Sequence, residues 1–124
     1  MTGKEYQSLA MRTNDKKSTD RLQDVLVFND DSDIGGILNA CLGLSGEVGE
    51  FNDLIKKWIF HEKPIDTTHL KKELGDVLWY IALICESFGW SMDDIMKMNI
   101  DKLKSRYPEG FDTNRSNNRN ENDV

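Results

Sequence analysis

Cysteine, proline and histidine are scarce in this 124-residue chain, two of each, and cations are outnumbered, with 16 Lys and Arg against 22 Asp and Glu. Each shortage closes off a class of protein. Cys41 and Cys85 both sit among apolar residues and read as reduced thiols rather than the bridges of a small secreted scaffold. A formal net charge of −6 repels polyanions, which excludes DNA or RNA as a partner, because nucleic-acid binding needs a basic face and several phosphate contacts. A small anion carried in with metal ions stays compatible with that balance. Long apolar runs are missing too. The longest, residues 77–85, has nine residues against about 20 for a bilayer-spanning helix, so no membrane partner is expected. Met1-Thr2-Gly3-Lys4-Glu5 carries no apolar secretory stretch, and the expected location is cytoplasmic.

The 38% hydrophobic and 31% charged residues suit a soluble globular protein with one core. Residues 112–124 stand apart, with five asparagines and Val124 as their one apolar residue, and read as a disordered polar tail behind a helical domain at 1–111. The first thirty residues read as a short helix near Lys4 to Arg12 followed by loops around the apolar patch Val25-Leu26-Val27-Phe28. From Ile34 the pattern sharpens. Ile34, Ile37, Leu38, Cys41, Leu44, Val48, Phe51, Ile55, Trp58 and Ile59 recur at helical spacing and predict one long amphipathic helix. A second helix, from Thr67 or Thr68 to about Phe88 with Gly89 as its left-handed stop, carries the apolar run and reads as a central helix buried on most sides. A third starts at Ser91, the cap of a Ser-x-x-Asp box, and ends before Pro108. Nothing reads as a strand. The expected fold is all-α, a small antiparallel bundle that oligomerises into a larger one, since three principal helices leave more apolar surface than one chain covers.

Two matching tetrapeptides carry the chemistry, Glu47-Val48-Gly49-Glu50 and Glu73-Leu74-Gly75-Asp76. A spacing of three puts each carboxylate pair within about 60° on its helix. With Val48 at the centre of the apolar stripe, Glu47 lies about 100° round and Glu50 about 160°, beside the buried seam. The short loop at 61–66 turns the chain back antiparallel, which allows the pairs to face each other across the two helices. Two alternatives stay open on the residues alone: a divalent-metal site, or the charged rims of a packed bundle. Oxygen-only ligation favours Mg²⁺, with Mn²⁺ as a second choice, over zinc. Glycines inside a helix lose roughly 1 kcal/mol each, which points to close packing or a ligand. Trp58, Phe60, Trp79 and Tyr80 read most simply as core, with stacking on a nucleobase as the alternative for any one of them. His61 and His69 read as loop and helix-start residues, and the single Asp66-x-x-His69 falls short of the repeated Glu-x-x-His of a ferritin-like di-iron centre. On the third helix Asn99, Lys102 and Arg106 fall about 40° to 100° to one side of Leu103, bordering the core.

These stretches resemble the MazG-like nucleoside triphosphate pyrophosphohydrolases of the all-α NTP pyrophosphatase superfamily. The resemblance runs through Glu5-Tyr6-Gln7 to Arg12-Thr13, Gly43-Leu44-Ser45-Gly46-Glu47-Val48-Gly49-Glu50, Lys72-Glu73-Leu74-Gly75-Asp76-Val77-Leu78-Trp79-Tyr80, and Asn99-Ile100-Asp101-Lys102-Leu103-Lys104-Ser105-Arg106-Tyr107-Pro108. It implies metal ligands and catalytic carboxylates at Glu47, Glu50, Glu73 and Asp76. Substrate contacts are expected from Asn99, Lys102 and Arg106, the last two on phosphate. The implied reaction is metal-dependent hydrolysis of a ribo- or deoxyribonucleoside triphosphate to the monophosphate and pyrophosphate, in a homo-oligomer, dimer or tetramer. Gly46 departs from the pattern, standing where many relatives carry a further glutamate, which leaves the base that activates water unassigned. The competing class is a non-catalytic helical module for self-association or protein binding.

Overall fold

The computed structural model describes residues 1–118, all of its regular structure helical. By internal contacts the chain divides into two units, Met1–Ile34 and the residues from Gly35 onward.

In the first unit, α1 (Gly3–Ala10) begins at a capping box in which Thr2 Oγ1 accepts from the Glu5 amide at 3.1 Å and Glu5 Oε2 accepts from the Thr2 amide at 2.9 Å. A 3₁₀ turn at Met11–Thr13 follows, and then α2 (Ser18–Phe28). Loops had been expected over most of α2. Leu22 is the one apolar residue in 18–24, too little to show a periodicity, and no residue of the helix is buried.

The second unit holds α3 (Ile34–Phe60, its first residue at the boundary), α4 (Thr67–Phe88), α5 (Met92–Arg106) and α6 (Thr113–Asn117). Asp66 caps α4, its side chain accepting from the His69 amide at 3.0 Å. Gly89 ends α4 at φ 71° and ψ 30°, where the Trp90 amide reaches back to the Cys85 carbonyl at 2.8 Å. Ser91 takes the cap position of α5 but makes no side-chain capping bond, so the expected Ser-x-x-Asp box does not form; Asp93 and Asp94 instead place negative charge on the positive end of the helix. Asp112 caps α6 through the Asn114 and Arg115 amides, so five residues of the expected tail are helical; residues 119–124 lie outside the described part.

The helices α3 and α4 run antiparallel. Gly43, early in α3, meets Tyr80, late in α4, while Leu54 and Trp58 share a small cavity with His69 and Leu70 at the opposite end. The contact at Gly43 is tight: a Cβ there would lie 2.2 Å from the Tyr80 ring. Gly46, Gly49 and Gly75 have open space around them, so packing within the chain accounts for Gly43 alone among the glycines of the motif region.

The expectation of a central helix buried on most sides is corrected. Within one chain Leu74, Leu78 and Trp79 of α4 are exposed, Trp79 by 58%, and so are Trp58 and Phe60 of α3, whereas among the described residues Ala40 and Cys85 are the buried apolar ones. Three of the four aromatics read as core therefore lie at the surface; Tyr80, against Gly43, is half-buried. Period and length identify a helix from sequence, but not how much of it the chain's other helices cover.

Gly43→Ala is expected to destabilise the protein by about 1–3 kcal/mol in thermal or urea unfolding, because the added methyl must displace a ring. The loss should shrink in a Tyr80→Leu background. An alanine variant as stable as wild type in the presence of Tyr80 would contradict the close approach.

Candidate metal and nucleotide site

Four carboxylates reach the α3–α4 crossing from the two tetrapeptides. Glu47, Glu73 and Asp76 each offer an oxygen, and these three atoms lie within 4.8 Å of one another, a group able to hold a cation. Glu73 is buried, Glu47 half-buried and Asp76 exposed, so the cluster opens to solvent on the Asp76 side. Glu47 Oε2 and Glu73 Oε2 are both fully enclosed with no hydrogen-bond partner. Burying a carboxylate oxygen unpaired is unfavourable by about 1–3 kcal/mol or more, and either a proton shared between the two or a cation would satisfy both at once. An all-oxygen donor set suits a hard divalent ion.

Glu50 is not in that triplet. It lines a neighbouring open cavity of about 410 Å³ together with Gly46, Gly49, Asp53, Leu54 and Lys57 from α3 and His69 and Glu73 from α4. Its charge is nonetheless felt at Glu47. Burial first, then a side-chain hydrogen bond with Glu73 and the charges of Glu50 and Asp76, push the Glu47 carboxyl up to about 7, so in the metal-free protein a proton shared by Glu47 and Glu73 takes the place a cation would fill. Asp53, which extends the acidic row by three residues, is held below its usual range by Lys57, 2.7 Å away on the next turn, and is accounted for by that pair.

Sequence reasoning passed over one residue here. His69 Nε2 lies 3.0 Å from Glu73 Oε1, so the side chain set aside as a helix start touches the most buried member of the cluster. The i, i+4 spacing of His69 and Glu73 was the available signal.

A family model described as the MazG nucleotide pyrophosphohydrolase domain matches residues 37–111, a span that includes both carboxylate pairs and all of α5. The chain belongs to the MazG family. The Gene 37 protein of Mycobacterium phage L5 is 32% identical over 81 residues, 62% of this chain and 71% of that protein. No solved structure matches. Within the MazG domain, Asn99 and Lys102 on α5 are exposed, and Arg106 is buried with its guanidinium 5.8 Å from the Tyr107 ring centre. None of the three lines the cavity beside the carboxylates.

The carboxylate crowd sets a pH dependence. Folded Glu47 keeps its proton to about pH 7, whereas an ordinary glutamate releases it near 4.5, so between these values the folded state binds more protons than the unfolded one. Stability of the metal-free protein is then expected to fall as pH rises through that window. Urea-unfolding midpoints followed from acid to neutral pH should show the decline in wild type and a flatter profile in Glu47→Gln; identical profiles would contradict the crowding.

Proposed function

We propose that the protein is a metal-dependent nucleoside triphosphate pyrophosphohydrolase that cleaves between the α and β phosphates, releasing a nucleoside monophosphate and pyrophosphate. The observation that carries this reading is the pair of buried, unpartnered oxygens of Glu47 and Glu73 beside Asp76, within a MazG domain. Mg²⁺, with Mn²⁺ as substitute, is the cofactor. Glu47, Glu73 and Asp76 would hold it, with Glu50 on the rim of the adjoining cavity as the fourth carboxylate. When bound, the ion supplies charge neutralisation for the triphosphate and acidifies water.

The chain's own groups do the rest by position. The enclosed oxygens of Glu47 and Glu73 fix where positive charge can sit, and the open Asp76 side admits the phosphates. Water attacks the α phosphorus as the bond to the β-bridging oxygen breaks, with no covalent enzyme intermediate. Lys102 balances charge on the leaving pyrophosphate and Asn99 contacts substrate; both are exposed on α5. Arg106 is assigned to phosphate as well, although its side chain, including the guanidinium Nη2, is buried. Gly46 leaves no side chain to act as base at that position, so the role would fall to one of the four carboxylates or to water acidified by the ion.

Self-association belongs to this reading. Leu42, Phe60, Leu78 and Trp79 are exposed on α3 and α4, more apolar surface than a lone small domain usually leaves to water. A homodimer or homotetramer in the cytoplasm, with the nucleotide site completed across an interface, covers it. Sedimentation at micromolar concentration should return two or four times 14.3 kDa. A monomer that hydrolyses nucleotides would overturn the oligomer.

Pyrophosphate release from a panel of nucleoside triphosphates with Mg²⁺ tests the activity directly. Glu50→Gln and Asp76→Asn should abolish release while keeping helical content. Lys102→Ala should weaken triphosphate turnover about tenfold or more, since a charge-assisted phosphate contact contributes roughly 1.5–3 kcal/mol. Near-wild-type turnover in both carboxylate variants would remove the site assignment. Absence of release with every nucleotide would favour the helical binding module instead.

A further inference from the structure

Resting on the metal reading above, we infer that His69 is a positioning residue for the metal site, donating from Nε2 to Glu73 Oε1 so that the other Glu73 oxygen is kept for the cation. The two atoms lie 3.0 Å apart, and Glu73 is a carboxylate acceptor, so the proton on that bond belongs to the imidazole. An exposed His–Glu pair one turn apart would contribute little to anything. This pair differs because its acceptor is buried: the Glu73 side chain is 11% exposed, and its second oxygen, Oε2, is enclosed without a partner. The carboxylate is thus anchored through one oxygen and unpaired at the other, enclosed one.

The anchor is itself held. The Asp66 side chain accepts from the His69 backbone amide at 3.0 Å, fixing the first turn of α4 from which the imidazole projects. The chain of contacts runs from the helix cap to the imidazole and on to the buried carboxylate. The His69 side chain is half exposed and lines the same cavity as Gly46, Gly49 and Glu50, so it stands between solvent and the cluster. Ligand carboxylates commonly depend on such outer hydrogen bonds for their orientation, and losing one typically weakens metal binding by 10–100-fold.

Mn²⁺ titration by calorimetry, with no nucleotide present, gives a readout independent of turnover. His69→Ala should bind Mn²⁺ about 10–100-fold more weakly than wild type, while His69→Gln, whose amide keeps a donor at similar reach, should stay within about threefold. His61→Ala, altered in the loop before α4, should bind as wild type does. Wild-type affinity in His69→Ala, or a loss in His69→Gln as large as in His69→Ala, would overturn the inference while leaving the metal site standing. Failure of the wild-type protein to bind Mn²⁺ would overturn the metal reading, and the role of His69 with it.

Discussion

Like charges resist being brought together, and α3 and α4 converge where they do so most. Glu47, Glu73 and Asp76 approach within 4.8 Å because Gly43 lets the Tyr80 ring lie almost against the α3 backbone. Without that close approach the two helices would stand a side chain farther apart, and the carboxylates could each keep water. With it, Glu47 is pushed to about 7 and two carboxylate oxygens are sealed without a partner. The metal-free fold therefore carries an electrostatic strain that one divalent ion would relieve. Capping at Asp66 and the turn at Gly89 fix where α4 starts and stops, and so which of its residues face α3.

The same hairpin leaves much of its apolar surface uncovered. Ala40 and Cys85 are buried, while Leu78 and Trp79 on α4 and Leu42 and Phe60 on α3 face outward. A carboxylate cluster with an open side and an apolar surface in need of cover are compatible demands. A second copy of the chain could meet the latter without closing the former, and the open surroundings of Gly49 and Gly75 leave room for such an approach or for a nucleotide.

Much of this was legible in the residues. The apolar period placed α3 and α4, Gly89 fell at the expected left-handed stop, and the two tetrapeptides pointed to carboxylates meeting across an antiparallel pair. What escaped was of three physical kinds. The helix α2 buries nothing, so its pattern has no core to align to. Burial of α4 was overestimated because a sequence records how apolar a residue is and not what packs against it. His69 was passed over because histidine at a helix start is common, and only coordinates reveal that its acceptor, Glu73, is buried. The position of Arg106 was only half readable: helical angle put it at the border of the core, and the structure buries it.

The central claim is that the crowded carboxylates are built to be neutralised by a divalent cation. Thermal unfolding with and without Mn²⁺, at neutral pH and again near pH 4.5, tests it most directly. The account predicts a clear rise in melting temperature with Mn²⁺ at neutral pH, a much smaller one near 4.5 where protons compete for the same oxygens, and neither in Glu73→Gln. An equal rise at both pH values, or none at either, would contradict it.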